Sequence, residues 1–175
     1  MNTFKFSGVF LAALLCGLSL PAHSGCLLGC TLSVTKVAGN DLRFGPMIVI
    51  SGGSLTLNPQ TGIRSGTANV VTPAALASSS GPAAFRVTCN GIGSISYRVH
   101  LDNTPATINK SPASMAIGNF VAYPAVSLER RITDCQTHSE IVTVGATLTV
   151  VNPQSAGQYT SMTDIQLHAS VSSLL

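Results

Sequence analysis

The chain has 175 residues, of which 9% are charged and 45% hydrophobic, with 16 glycines, no tryptophan and a formal net charge of +3. So few charges exclude a charge-rich disordered or long helical protein, and the length suits one domain with a proper core. The basic residues are scattered, with only Arg130 and Arg131 adjacent, so no nucleic-acid surface is expected.

Residues 1–24 read as a secretory signal: Lys5 gives a small positive start, Val9–Leu18 an apolar run, and Pro21-Ala22-His23-Ser24 a small-x-small end. Cleavage is expected after Ser24, leaving residues 25–175 as a single domain that is periplasmic, extracellular or on the cell surface. The apolar run is shorter than the ~20 residues that span a bilayer and Pro21 breaks it, so no stable transmembrane segment is expected. Cys26, Cys30, Cys89 and Cys135 follow. An even number in an exported chain reads as disulfides, and three pairings are open. Cys30–Cys89 with Cys26–Cys135 is the expected set. Cys26-x3-Cys30 and Cys135-x2-His138 imitate zinc spacing, but oxidising export favours disulfides, and no metal is expected.

Thr31–Val37 alternates and reads as a strand carrying Leu32 and Val34 on one face, turned by Gly39-Asn40-Asp41. Leu42–Gly45 is stopped by Pro46. Met47–Ile50 and Ser54–Leu57 are expected to form a hairpin around Ser51-Gly52-Gly53. Asn58–Gly62 is a turn, Arg64–Val71 returns as a strand, and Ala74–Gly81 reads as a surface loop. In Pro82–Leu101 two strands, with Phe85, Val87 and Cys89 then Ile95, Tyr97, Val99 and Leu101 facing inward, flank Asn90-Gly91-Ile92-Gly93-Ser94; this predicts a second hairpin. Asp102–Pro105 turns the chain, Ile108–Pro112 reads as loop, Ser114–Val121 as a strand, and Tyr123–His138 as the least regular stretch. Ile141–Val144 and Ala146–Val151 are β stretches around Gly145. After the Asn152–Gly157 turn, the last strand, Asp164–Val171, points Ile165, Leu167, Ala169 and Val171 inward. About eight to ten short strands with no long helical period predict an all-β, immunoglobulin-like antiparallel sandwich.

Chemistry is sparse. A triad from His100, Asp102 and a serine lacks a G-x-S-x-G elbow, and His100 and His168 alternate with core positions and face solvent. Glu129 and Glu140 flank an irregular stretch that does not pair them. Gly91-x-Gly93 joins two strands, where glycine serves the turn. Neither an enzyme nor a cofactor is expected.

Leu42-Arg43-Phe44-Gly45 resembles the L-x-F-G signature near the mature start of secreted bacterial spore-coat-U-like and pilin-like proteins, and Cys30 with Val87-Thr88-Cys89 matches their paired cysteines. Gly53–Arg64, Phe85-Arg86-Val87, Val144–Val150 and Ala156–Thr160 are similar to a related bacterial family of exported β-sandwich domains of uncharacterised function. The resemblance covers nearly all of Cys30–Val171. It implies an immunoglobulin-like fold and a surface role, in fimbriae built by the chaperone–usher route, with further copies or a periplasmic chaperone as partners. Subunits of such fimbriae carry an N-terminal extension that completes a neighbour's sandwich, whereas only Gly25–Gly29 precede Cys30 here. The donor would then be Cys26–Val37 itself, offering Leu32 and Val34 to a groove flanked by Asp164–Val171; alternatively, Thr31–Val37 closes its own domain. The expected function is that of an exported structural or assembly protein working through strand complementation or surface packing. The second expectation is a ligand-binding or adhesin module using the 102–138 loops.

Overall fold

The computed structural model describes residues 30–67, 69–72, 79–136, 138–152, 154–160 and 164–174; the predicted signal segment, Cys26 and most of the predicted 74–81 loop lie outside them. The alternating stretches become strands: β1 (Thr31–Lys36), β2 (Ile48–Val49), β3 (Gly53–Leu57), β4 (Arg64–Gly66), β5 (Val70–Val71), β6 (Ala83–Asn90), β7 (Ile95–Asn103), β8 (Thr107–Lys110), β9 (Ala113–Tyr123), β10 (Arg130–Ile132), β11 (Ser139–Val150) and β12 (Gln166–Leu174). The larger sheet centres on β11, which pairs with β6 over Ser139–Val144, with β9 over Thr143–Thr149 and with β3 over Thr147–Val150. Strand β1 extends it beyond β6, β4 beyond β3 and β8 beyond β9. A three-stranded sheet, β10-β7-β12, packs against one half of this layer, and a β2–β5 ribbon lies by the other.

Two apolar clusters fill the interior. The first joins Phe85, Val87 and Cys89 of β6 to Ile95, Tyr97 and Val99 of β7, with Val142 and Val144 of β11 and Ile165 and Leu167 at the start of β12. The second gathers Leu55 and Leu57 of β3, Met115 and Ile117 of β9, and Ala146, Leu148 and Val150 of β11 under Phe44 and Val70. Strand β9 serves both because Asn119, at φ 49°, and Phe120 together face Ala146. This bulge shifts the inward set from odd to even positions. The all-β antiparallel sandwich is therefore as the strand pattern predicts.

Several pairings differ from expectation. The predicted 82–101 hairpin does not form: β6 pairs with β1 and β11, and β7 with β10 and β12, so the Asn90–Ser94 loop crosses between layers. Both strands present odd-numbered residues to the core, and a crossing lets these faces meet instead of lying side by side. Gly91 and Gly93 make the crossing at φ 125° and 120°, a region that L side chains rarely adopt. The predicted 47–57 hairpin is replaced by β2–β5 and β3–β11 pairing, and Arg64–Val71 splits into β4 and β5 in separate sheets. The stretch read as loop at 108–112 contains most of β8, and the irregular 123–138 stretch contains β10.

Candidate functional site

Strands β1 and β12, the two predicted assembly strands, come together without pairing. Leu32 and Val34 sit on β1 opposite Cys89 and Val87 of the same chain's β6, half-buried against the first core cluster. Ile165 and Leu167 are buried, and Ala169 and Val171 pack partly buried on the same cluster. Each strand is an edge of its own sheet, β1 of the large one and β12 of the small one, and the two edges lie against each other on one side of the sandwich. Lys36 Nζ spans them, donating to Asp164 Oδ1 at 3.3 Å and pairing with Asp41. The Asp41 hydrogen bond holds the Lys36 ammonium above its ordinary pKa, against a smaller opposing effect of burial.

Between these edges lies a groove of about 300 Å³ lined by Val34, Phe85 and Leu167. It shares Lys36, Asp164 and Ile165 with a larger cleft of about 1140 Å³ over the second core cluster. The cleft exists because the three-stranded sheet covers only the first cluster. Segment 42–49, irregular up to the two-residue β2, and irregular segment 154–160 are left to cover the second, over an apolar floor that includes Phe44, Met47, Ile108, Met115 and Ile117. Polar side chains hold these walls. Arg64 donates to the carbonyls of Phe44 and Pro46 at 3.1 and 2.9 Å, Tyr159 donates to the Ser155 carbonyl at 2.7 Å, and Lys110 bonds the Ala156 carbonyl. Gln154 Oε1, at the cleft, is buried with no hydrogen-bond partner among the described residues.

The sulfurs correct the expected pairing. Cys89 is joined to Cys135, not to Cys30, and Cys30 is a buried thiol whose Sγ lies 3.1 Å from the Ile92 carbonyl. Cys26 lies outside the described residues. The cause is the layer crossing: Cys135 N–H donates to the Gly93 carbonyl at 3.2 Å, which pins the 133–136 turn beside the end of β6. All three sulfurs fall within 4.8 Å of one another, so counting and spacing had no means to choose among them. Two are consumed in the bond. His138, the other half of the zinc-like spacing, turns to Tyr97, with its Nε2 3.5 Å from the phenol oxygen.

Beside the disulfide, the phenol of fully buried Tyr97 donates to Glu140 Oε2. Burial first, and the Glu140 carboxylate second, push the phenol well above its ordinary pKa. Arg130 Nε sits 3.6 Å from Glu140 Oε1, and its guanidinium carbon lies 5.9 Å from the Tyr97 ring centroid. Glu129, next to Arg130 in the chain, pairs elsewhere, with Arg98 at 3.8 Å and with Ser172. His100 and Asp102 do not act as one unit either: His100 Nε2 meets Ser170 Oγ at 2.9 Å, while Asp102 bonds His168. The pairing of the two histidines across β7 and β12 was missed, since nothing local in either strand names its partner.

Fold and site together define an all-β antiparallel sandwich with two adjacent strand edges and an apolar cleft. The chain belongs to the family described as "Domain of unknown function (DUF4402)", which matches residues 32–169. No curated protein and no solved structure matches it. Among the described residues no helix is long and apolar enough to cross a membrane.

Proposed function

We propose that this chain is an exported structural or assembly protein of the bacterial cell surface, pilin-like in operation, which joins copies of itself through strand complementation at the β1/β12 side of the sandwich. The observation that carries this reading is the continuous groove: two strand edges lie against each other and open onto an apolar cleft whose cover, among the described residues, is irregular chain and the two-residue strand β2. An unpaired edge offers a row of main-chain donors and acceptors to an added strand. The apolar floor rewards knobs at i, i+2 spacing, roughly 1.5–3 kcal/mol for each fully buried Leu- or Val-sized side chain. Gln154 Oε1 supplies an acceptor awaiting an N–H. Because β1 is paired within its own sheet, a donated strand is either an exchanged β1 or an added one. The resemblance to secreted pilin-like proteins supports the compartment and points to a periplasmic chaperone as the other partner. Apolar side chains on the β2–β5 ribbon, with Ile48 and Val71 opposite each other and both exposed, favour surface packing as a second contact between copies.

A labelled peptide of residues 31–37 tests this. It should bind the exported protein, and Met47→Glu or Ile108→Glu, both half-buried cleft side chains, should weaken binding at least tenfold while the protein stays folded. No binding to the wild type, or equal binding to both variants, refutes the proposal. The ligand-binding or adhesin reading is favoured by one observation: Pro105, Ile108, Met115 and Ile117, from the predicted 102–138 region, line the cleft. It moves in part from loops to strands, since β8, β9 and β10 occupy about half of that region and hold Ile108, Met115 and Ile117. Displacement of a small apolar dye by added lipid or sugar, without peptide binding, would select it.

A further inference from the structure

We propose that the outer face of the β10-β7-β12 sheet carries a metal-ion site in which His100 and His168 ligate, and Asp102 orients, a borderline divalent transition-metal ion of the zinc type.

The two histidines stand directly opposite in the β7–β12 register, His100 to His168; alternation puts Ser170 on the same outer face two residues from His168, and Asp102, the unpaired residue of a bulge between Leu101 and Asn103, reaches His168 from the end of β7. Their ring centroids are 4.9 Å apart, with planes at 19°. Two imidazoles on one tetrahedral zinc, with Zn–N of about 2.0–2.1 Å, place their centroids roughly 5 Å apart. The ring spacing is compatible with a chelating pair, and the rings must turn from stacked to convergent before both in-plane lone pairs meet one ion. His168 is 53% exposed at its side chain, so that rotation moves mainly water.

Asp102 decides the tautomer. Its carboxylate accepts from His168 Nδ1, which therefore carries the proton and leaves the lone pair on Nε2. A carboxylate behind an imidazole in this way both aims the ring and raises its basicity toward a metal. His100 uses Nε2 toward Ser170 Oγ at 2.9 Å, leaving Nδ1 as the second ligand atom. Imidazole nitrogens select zinc, copper or nickel over magnesium and calcium, which want oxygen. The nearest cation on this face, Arg98 opposite Ser170, is drawn to Glu129 at 3.8 Å. Two protein ligands leave the remaining positions to water or to a donor from another molecule. His100 and His168 lie on the solvent face of their sheet, while Asp102 also lines the groove between β1 and β12; the proposal does not depend on the assembly reading.

Zinc chloride titrated into the disulfide-bonded protein at neutral pH, followed by calorimetry, tests the assignment. One ion per chain should bind, with a rise in melting temperature that His100→Ala and His168→Ala each abolish. Asp102→Asn should weaken affinity about 10–100-fold, and His138→Ala should leave it unchanged. The side chains of His100, Asp102 and His168 are off the core, so the metal-free melting temperatures of those three variants should stay close to wild type. Absence of one-to-one binding in the wild type, or its persistence in the double histidine variant, overturns the proposal. So does loss of binding on Cys30→Ser, which would assign the ion to the sulfur cluster.

Discussion

Gly145→Ala tests the packing at the middle of the longest strand. Gly145 sits in β11 where pairing passes from β6 to β3, under the turn that follows β3. A Cβ there would lie 2.1 Å from the Leu57 carbonyl oxygen, 2.9 Å from Pro59 N and 3.0 Å from Pro59 Cδ. None of these is the free end of a flexible side chain, so backbone has to move. Overpacking of this kind costs about 1–3 kcal/mol, offset by roughly 0.4–1 kcal/mol from the stiffer unfolded chain. At roughly 2–4 °C per kcal/mol for a chain of this size, the net loss lowers the melting temperature by several degrees. Gly118→Ala is the matched control: it lies on β9 opposite Thr147, and a Cβ there meets nothing within 4 Å. It should be neutral or stabilise by up to ~1 kcal/mol. Thermal unfolding followed by circular dichroism under non-reducing conditions reads both. The reasoning fails if Gly145→Ala melts within about 1 °C of wild type, or if Gly118→Ala falls as far.

Removing the Cys89–Cys135 bond, which spans 46 residues, should cost ~4 kcal/mol in the chain-entropy model. Cys89→Ala combined with Cys30→Ser, compared with Cys30→Ser alone in urea unfolding, measures this without a neighbouring thiol substituting, and a difference under ~1 kcal/mol would contradict it. Tyr97 predicts an alkaline limb of stability. Its folded pKa is raised above the ordinary 10.0, so the folded chain keeps a proton that the unfolded chain releases. Stability is then full below pH 10 and falls as pH rises beyond it. Tyr97→Phe should flatten most of that limb, leaving the part due to Lys36, and cost about 1–3 kcal/mol at neutral pH by taking a donor from Glu140; an unchanged alkaline slope would show that the phenol does not titrate late.

Residue alternation determined the local facts of this protein. It located most strands and their inward faces: Phe85, Val87 and Cys89 on β6, Ile95, Tyr97 and Val99 on β7, Ile165, Leu167, Ala169 and Val171 at the end of the chain. These were legible because a period of two depends on neighbours within a few residues, and because glycine and proline punctuate the strands between them. Tertiary structure alone decided who pairs with whom. Strands β6 and β7, separated by four residues in sequence, went to different layers; Cys89 chose Cys135 over Cys30; His100 met His168; and the second core cluster was left under largely irregular chain, which created the cleft. The edges of every strand carry the same main-chain donors and acceptors, so they hold no address of their own. The address comes from which arrangement of all the apolar faces closes two core clusters at once, and that sum runs over residues far apart in the chain.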